Sequence, residues 1–176
     1  MSIETYRGMT PKLGRAVFVH ASATLIGDVE LDDEVSIWPN VVIRGDVNAI
    51  RIGARSNVQD GSILHVTHKS ARNPAGAALT IGRDVTVGHA VILHGCQIND
   101  ECLIGMGSLV MDNAILEPQV LLGAGSLVPE GRVLQSGWLY LGRPARQVRP
   151  LNEDELSYFA YQAANYARLA REYTNQ

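Results

Sequence analysis

The chain has 176 residues, of which 46% are hydrophobic and 19% are charged, and its formal net charge is -3 at pH 7. This composition is typical of one soluble globular domain, and the slightly acidic balance argues against nucleic acid as a partner. No apolar run approaches the ~20 residues that span a bilayer, and the N-terminus lacks the apolar core of a signal peptide, which predicts a cytoplasmic protein.

A repeat with a period of six residues dominates the chain after a short lead-in. Residues 1–16 are polar and rich in turn formers, so we expect them to form no element of their own. From Val19 an aliphatic residue recurs at every sixth position, and the position four residues later is usually small or β-branched; Val47 and His68 occupy two of these small positions. Residues 69–79 interrupt the repeat and are predicted to form a loop. The aliphatic positions are Val19, Leu25, Leu31, Ile37, Ile43, Ile52, Val58, Leu64, Ile81, Val87, Leu93, Ile98, Ile104, Val110, Leu116, Leu122 and Val128.

A period of six matches neither an α-helix nor simple strand alternation, and it fits a short strand followed by a tight corner. Three such units close one turn of a triangular prism, and successive turns pair as parallel strands about 4.8 Å apart. Each aliphatic side chain then points inward, and the small residue fits the crowded corner. The repeat therefore predicts a parallel β-helix over residues 17–130.

The C-terminal part of the chain has a different pattern. Residues 131–150 contain several glycines and prolines and are predicted to be a connecting segment. Residues 151–176 are predicted to form a helix, because Asn152 can cap its start and Glu155 stands at the capping-box position. An apolar stripe at helical spacing is expected to pack along the prism: Leu156, Phe159, Ala160, Ala163, Tyr166, Ala167 and Ala170. The expected fold class is all-β with a C-terminal α-helix.

The repeat places two histidines side by side. Leu64 and Leu93 fall on the same face in adjacent coils, and His65 and His94 follow them, so both imidazoles point outward. Their backbones are expected to lie about 4.8 Å apart. Two nitrogen ligands of one tetrahedral zinc ion lie about 3.3 Å apart, which a slight convergence of the rings reaches. The pattern favours a shared metal over two unrelated surface histidines.

A third histidine, His89, lies on the preceding face of the coil that contains His94. Outward side chains on different faces of one prism diverge, so the imidazole of His89 is expected to reach a metal held by a neighbouring prism. The spacing therefore predicts a homotrimer with equal zinc sites between subunits. Three neutral histidines with an open fourth position are typical of a catalytic zinc that activates water near neutral pH.

Polar side chains accompany these histidines on the strand faces, namely Arg44, Asp46, Asn57, Gln59 and Asp60. Arg44 lies one coil before His65 in the same outward column, and Gln59 and Asp60 lie on the face that carries His89. Such groups can orient metal ligands or hydrogen-bond an oxyanion. The alternative is a solvated polar surface with ordinary ion pairs of small energetic value.

Several motifs coincide with the repeat: Arg44-Gly45-Asp46, Asn57-Val58-Gln59-Asp60-Gly61, His65-Val66-Thr67-His68-Lys69-Ser70, Gly88-His89, Leu93-His94-Gly95-Cys96 and Tyr140-Leu141-Gly142-Arg143-Pro144. With these motifs the chain resembles the gamma-class carbonic anhydrases, and within them the short bacterial YrdA-like branch. The resemblance implies a left-handed β-helix in a homotrimer that interconverts CO2 and bicarbonate. It also implies zinc, or iron or cobalt, at the subunit interface, with His65 and His94 from one subunit and His89 from the next.

The resemblance further implies roles for the polar residues. Arg44 and Asp46 match an ion pair between subunits, and Gln59 matches a residue that positions the metal-bound hydroxide. Asp60 lies in the segment that contacts bicarbonate, and Tyr166 matches a helix tyrosine that reaches toward the site. The candidate catalytic residues are therefore Asn57, Gln59 and Tyr166, and the candidate substrate-binding residues are Arg44, Asp46, Gln59 and Asp60.

Two departures from the family pattern concern proton transfer. Val47 stands where the active archetype has a glutamate, and residues 66–79 contain no Asp or Glu where the archetype has a proton-shuttle glutamate. A general acid-base group speeds the loss of the proton from the metal-bound water. One alternative is therefore a catalytically weak or inactive metal-binding trimer with a scaffold, hydrolytic or thioester role. A hexapeptide acyltransferase is the other alternative, and three histidines in ligand register count against it.

Overall fold

The computed structural model describes residues 2–175, which form a stack of short strands followed by a helix. The strands are β1 (Ser2–Glu4), β2 (Lys12–Leu13), β3 (Phe18–Val19), β4 (Thr24–Leu31), β5 (Ser36–Ile37), β6 (Val42–Ile52), β7 (Asn57–Val58), β8 (Ile63–His65), β9 (Leu79–Ile81), β10 (Thr86–Val87), β11 (Ile92–His94), β12 (Gln97–Ile98), β13 (Leu103–Ile104), β14 (Leu109–Val110), β15 (Ile115–Leu116), β16 (Leu121–Leu122), β17 (Leu127–Val128), β18 (Val133–Leu134), β19 (Trp138–Gly142) and β20 (Ala145–Pro150), and the helix is α1 (Glu153–Thr174). The expected class, all-β with a C-terminal helix, is confirmed.

The strands form three faces of a prism. Face 1 consists of β8, β11, β14 and β17 together with the first halves of β4 and β6. Face 2 consists of β9, β12, β15 and β18 together with the second halves of β4 and β6. Face 3 consists of β3, β5, β7, β10, β13, β16 and β19, and β20 pairs antiparallel with β19. β4 and β6 are long because each turns the corner between faces 1 and 2 without a break. The parallel β-helix that the repeat predicted is confirmed.

The inward column of face 1 shows why the repeat specifies this arrangement. Ile43, Leu64, Leu93, Val110 and Val128 are register partners in successive coils, and all five are fully buried. Burying one such side chain contributes about 1.5–3 kcal/mol, and the parallel ladders satisfy the backbone polar groups beside it. The interior is therefore one continuous aliphatic core.

The corners combine a left-handed backbone residue with a small buried residue. Asn40 and Asn113 have φ of 59° and 57°, and they precede Val41 and Ala114, which are fully buried. Asparagine tolerates this conformation better than most residues because its short side chain bonds locally. The small residue that follows lets the chain turn into the next face without a clash.

Two positions of the repeat do not lie at such corners. Val47 and His68 are exposed, so the expectation that they fill small corner positions is wrong. Between β4 and β6, Gly27 pairs with Gly45 and Val29 pairs with Ile50. Residues 46–49 of β6 therefore stand opposite one residue of β4, Asp28. The additional residues protrude from the prism and carry Val47 outward, while His68 begins the loop that the sequence predicted.

The coil is longer at both ends than the repeat indicated. β1 and β2, within the expected lead-in of residues 1–16, pair with β4 and begin the first coil. At the other end Leu134 and Tyr140 continue the spacing of six and pair with β15 and β16, so the coil passes the expected boundary at residue 130. Tyr140 takes an inward position because its hydroxyl accepts a hydrogen bond of 2.8 Å from the backbone N–H of Gln135.

The helix begins at the predicted capping box and returns along face 3. The side chain of Asn152 accepts a hydrogen bond of 2.8 Å from the backbone N–H of Glu155, whose carboxylate accepts one of 3.0 Å from the N–H of Asn152. The buried helix residues are Phe159, Ala163, Ala167 and Ala170, whereas Ala160, also expected in the stripe, is exposed. The helix contacts β3, β5, β7 and β10. Over the described residues, α1 lacks the combination of length and apolar character that a membrane crossing requires.

Candidate metal centre

Two imidazoles meet at the edge of face 1 where β8 and β11 end. His65 and His94 are register partners in adjacent coils, as the repeat predicted. Their ring centroids lie 5.0 Å apart, and His65 Nδ1 lies 3.1 Å from His94 Nε2. This separation is close to the ~3.3 Å expected for two ligands of one tetrahedral metal. The sequence-predicted stacking therefore produces two convergent nitrogens.

Each imidazole contacts a carboxylate through its other nitrogen. His65 Nε2 lies 3.1 Å from Asp46 Oδ1, and His94 Nδ1 lies 2.5 Å from Asp112 Oδ1. A neutral histidine that donates to a carboxylate keeps its proton on that nitrogen, so the other nitrogen presents a lone pair. Two lone pairs that face each other repel unless a cation lies beside both. The donor chemistry at this edge therefore fits a divalent metal ion such as zinc.

The electrostatic surroundings favour the neutral, metal-binding form of His65. Burial lowers its pKa, the hydrogen bond to Asp46 opposes this effect, and the charge of Arg44 adds to it. Burial alone would raise the pKa of Asp46, but hydrogen bonds from Arg44 and His65 outweigh burial and lower it. Arg44 Nη1 lies 2.6 Å from Asp46 Oδ2 within the same chain. The arginine thus keeps the carboxylate ionised beside the imidazole.

Asp112 is a site residue that the sequence reasoning missed. Its Oδ1 contacts His94, and its Oδ2 accepts a hydrogen bond of 2.5 Å from the hydroxyl of Thr67. The register pairs Leu93 with Val110 in the next coil, so Asp112 lies one residue past the position level with His94. A carboxylate near that position in the next coil was the available signal for a partner of the imidazole. We call His65, His94, Asp46 and Asp112 the paired-histidine edge.

The third histidine lies at the opposite edge of face 1, in the corner between β10 and β11. His89 Nδ1 lies 3.0 Å from Asp60 Oδ2. Beside it, the amide of Gln59 donates to Asn57 Oδ1 at 3.2 Å, and the amide of Asn57 donates to Thr86 at 2.9 Å. Asn57 is fully buried, and 6% of Gln59 is exposed. We call His89, Asp60, Gln59 and Asn57 the single-histidine edge.

The helix adds Tyr166 to the single-histidine edge. Its ring packs edge-on against Trp38 with centroids 5.6 Å apart. Burial raises the pKa of Tyr166, the negative charge of Asp60 adds to the effect, and a hydrogen bond with the side chain of Gln59 moderates it. The phenol is therefore protonated at neutral pH and lies next to the polar group that surrounds His89.

The predicted site residues thus fall into two groups on one chain. Arg44, Asp46, His65 and His94 meet at one edge of face 1, and Asn57, Gln59, Asp60, His89 and Tyr166 meet at the other. Within residues 2–175, no group of three or more His, Cys, Asp or Glu side chains is placed to hold a metal ion.

Comparison with known proteins identifies the class and then the family. No family model matches the chain. The crystal structure of a hexapeptide transferase family protein from Anaplasma phagocytophilum superimposes with a TM-score of 0.91 and 38% identity, covering 98% of each chain. The fold is therefore the left-handed β-helix of hexapeptide-repeat proteins, with the handedness that the resemblance implied.

Two curated relatives narrow this assignment. Protein YrdA of Escherichia coli (strain K12) is 55% identical over 174 residues, which are 99% of this chain and 95% of the relative. A carbonic anhydrase of Geobacillus kaustophilus (strain HTA426) is 45% identical over 174 residues, which are 99% of this chain and 88% of the relative. The chain belongs to the gamma carbonic anhydrase family, in its YrdA-like branch.

Proposed function

We propose that the chain is a metal-dependent carbonic anhydrase that interconverts CO2 and bicarbonate as a cytoplasmic homotrimer. In this proposal zinc, or iron or cobalt in its place, is held by His65 and His94 of one subunit and by His89 of the partner subunit. Family membership supports a metal cofactor and a carbonic anhydrase-like function. The observation that carries the proposal is the 3.1 Å approach of two imidazole nitrogens whose other nitrogens face carboxylates.

The surface between the two edges supports assembly through face 1. Outward side chains of successive coils form an apolar column there: Val42, Ile63, Ile92, Leu109 and Leu127. Ile63 and Ile92 are 45% and 40% exposed. An apolar column of this kind is buried favourably against another subunit. With the paired-histidine edge on one side and the single-histidine edge on the other, a cyclic assembly can bring unlike edges together.

The chain's own residues would orient the reactants. His65, His94 and the partner subunit's His89 would hold a divalent metal ion, which would supply a water of lowered pKa as nucleophile near neutral pH. Asp60 accepts from His89 Nδ1 and so leaves Nε2 as the free nitrogen. Asn57 positions the amide of Gln59, and the phenol of Tyr166 lies against that amide. Gln59 and Tyr166 can therefore hydrogen-bond reacting oxygens, while Arg44 attracts the anionic product.

Metal content and CO2 hydration test the proposal together. We expect wild-type protein to copurify with a divalent metal and to hydrate CO2 in a stopped-flow assay. His94→Ala should lose most of the metal and the activity, because removing one of three ligands leaves the site incomplete. His20→Ala is the matched control, since His20 is a half-buried histidine outside both edges whose ring hydrogen-bonds Ser22 and contacts the ring of Phe18. Full metal occupancy in His94→Ala would contradict the ligand assignment.

Mixing two inactive variants tests the intersubunit site. His89→Ala and His94→Ala each remove one ligand from every site of their own homotrimers. After unfolding and refolding together, about one quarter of the interfaces should combine intact edges from two different subunits. Metal binding and activity should then recover to about a quarter of wild type. No recovery in mixed trimers, with trimer mass confirmed by light scattering, would contradict a shared site.

Two other functions each have one observation in their favour. The related structures include a hexapeptide transferase family protein and, at 39% identity, a putative acetyltransferase from Bacillus cereus, and turnover of acetyl-CoA in metal-free buffer would favour acyl transfer. Val47 and the loop without Asp or Glu favour a metal-binding trimer with weak or no catalysis. Hydration rates equal to buffer in metal-replete protein would favour that second alternative.

A further inference from the structure

An open cleft of about 580 Å³ lies beside the paired-histidine edge and is lined by none of the three metal-candidate histidines. Three basic side chains from two separate segments line it, namely Arg7, His68 and Lys69. Its floor is the protruding segment of β6, residues 46–49. The metal candidates and the cleft meet at Asp46, which contributes to both.

The three basic side chains of the cleft lie on segments whose backbone is fixed by hydrogen bonds. Arg7 lies in the tight turn between Tyr6 and Met9, whose backbone N–H groups and carbonyls pair at 2.9 and 3.0 Å. His68 and Lys69 follow Thr67, which exchanges two backbone hydrogen bonds of 3.0 Å with Ala77. The cleft is therefore built by defined turns.

Asn48 connects the floor of the cleft to the loop. Its side-chain amide donates to the carbonyls of Thr67 and Ala75, at 3.1 and 3.3 Å. This clamp holds the start of the loop against the protruding segment of β6, so His68 and Lys69 stay over the cleft. The placement of two of the basic groups thus depends on one partly buried amide.

The two carboxylates in the cleft are already neutralised by cations outside its lining. Asp28 pairs with Arg51 at 2.8 Å, and Asp46 pairs with Arg44 at 2.6 Å. Lys69 forms no ion pair within the described part of the chain, and Arg7 contacts the ring of Tyr6 at 5.2 Å. The balance of charge in the cleft is therefore positive, and the arginine and lysine can each bond an anionic oxygen.

The cleft also has an apolar side. Met9 and Val47, both lining residues, are 41% and 39% exposed. A ligand that meets all of these groups carries an oxyanion toward Arg7 and Lys69 and a short apolar part toward Met9 and Val47. We propose that this cleft, which adjoins the metal centre at Asp46, is a second ligand site that binds a small organic oxyanion. This proposal does not depend on the proposed hydration activity.

Binding to metal-free protein tests the second site. Inorganic phosphate, bicarbonate, acetate and butyrate are titrated at low ionic strength, and amide shifts of residues 47–49 and 68–69 are followed by NMR. We expect saturable binding, with butyrate tighter than acetate because its longer chain buries more apolar surface. Phosphate should compete with butyrate for the same site. Binding of bicarbonate alone would overturn the proposal, because the cleft would then be only an exit path for the product of the metal site.

Matched charge removals locate the site. Arg7→Gln and Lys69→Gln should each weaken butyrate binding about fivefold, since each removes one charge-assisted hydrogen bond. Arg132→Gln removes the same charge from an exposed arginine outside the cleft, and it should weaken binding less than about twofold. Equal weakening by all three variants, or no saturation, would overturn the proposal. Unchanged thermal melting shows that each variant folds. Because His65 and His94 are intact in all three variants, a loss of butyrate binding cannot be attributed to damage at the metal site.

Discussion

The two edges of face 1 carry the same chemistry in different surroundings. At the paired-histidine edge the side chains of His65 and His94 are 20% and 36% exposed, whereas at the single-histidine edge the side chain of His89 is 50% exposed. Each imidazole contacts one carboxylate, but only the first edge brings two lone pairs together. The first edge therefore brings two candidate ligands together within one chain, whereas the second presents a single candidate ligand.

This contrast also appears in how the edges are supported. Asp112 accepts a hydrogen bond from Thr67 at the base of the loop, so the position of His94 depends on residues of both neighbouring coils. His89 depends on Asp60, whose side chain is 47% exposed. In the proposed site, the paired-histidine edge would therefore supply most of the metal affinity, and the more exposed His89 would complete the ligand set on assembly.

The largest expected effect comes from separating the edges. Ile92→Glu places a charge in the apolar column between them, and three symmetric copies of that charge would be desolvated in a trimer. We expect association to weaken by at least about 100-fold, seen as a shift to monomers in light scattering. Gln97→Glu is the matched control, because Gln97 is an exposed residue of face 2 in the following strand. A trimer that survives Ile92→Glu would exclude face 1 as the interface.

The second-largest expected effect concerns the paired-histidine edge. Asp112→Asn keeps the shape of the side chain but removes the charge that fixes His94 with Nε2 free, so we expect about 10- to 100-fold weaker metal binding in a chelator competition. Asp60→Asn at the single-histidine edge should weaken metal binding less, because the pair of Asp60 and His89 is more exposed to solvent. A larger loss for Asp60→Asn than for Asp112→Asn would reverse the comparison between the edges.

A smaller effect is expected from the backbone beside His94. Gly95 has φ of 53°, and a Cβ there would lie 2.6 Å from both Ala77 Cβ and Asp112 Oδ1. Gly95→Ala should therefore lower the free energy of unfolding by about 1–3 kcal/mol and also weaken metal binding. Gly131→Ala, with φ of 66° and no atom within 4 Å of its Cβ, isolates the conformational cost. Urea unfolding measures the free energy of unfolding of both variants, and the extra loss in Gly95→Ala is the cost of the steric clash. Equal losses of stability in the two variants would show that no clash occurs.

The smallest effect concerns the helix that brings Tyr166 to the single-histidine edge. Hydrogen bonds from Arg149 and from the backbone of Asn152 lower the pKa of Glu155 to about 2. Because this value is below the unfolded one of 4.5, the stabilisation is present above pH 4.5 and is lost as the pH falls toward about 2. Glu155→Gln should thus be slightly less stable than wild type at neutral pH, and the difference should vanish in acid.

Thermal melting as a function of pH measures this effect. Glu153→Gln is the control, because Glu153 also lies in the first turn but forms no capping-box bond. The loss should stay below about 1 kcal/mol because the ion pair is exposed to water. A difference between Glu155→Gln and wild type that grows as the pH falls would contradict the assigned cause.

Much of the architecture followed from the chain alone because the repeat is local. A buried aliphatic residue at every sixth position specifies face, corner and inward direction at once, so the stacking of His65 on His94 could be derived from Leu64 and Leu93. The helix start was equally local, since Asn152 and Glu155 satisfy each other within one turn. These features need no knowledge of distant segments.

The features that sequence reasoning missed depend on contacts between coils and insertions. Residues 46–49 and the loop after His65 add lengths that the period does not specify, so neither the exposure of Val47 nor the cleft beside Asp46 could be derived. The inward position of Tyr140 was hidden because an aromatic residue replaced the expected aliphatic one. Asp112 was missed because its role depends on a side chain reaching across one coil.

By itself the sequence determined a prism of stacked coils, its aliphatic core, a paired set of imidazoles and a capped C-terminal helix, because short-range periodicity and hydrogen-bonding rules suffice for each. Only the tertiary structure decided that the candidate residues divide between two edges of one face, that Asp112 and Thr67 support His94, and that basic side chains surround a separate cleft. The physical reason is that side-chain direction and insertion geometry are set by neighbours one coil away, which a linear pattern does not contain.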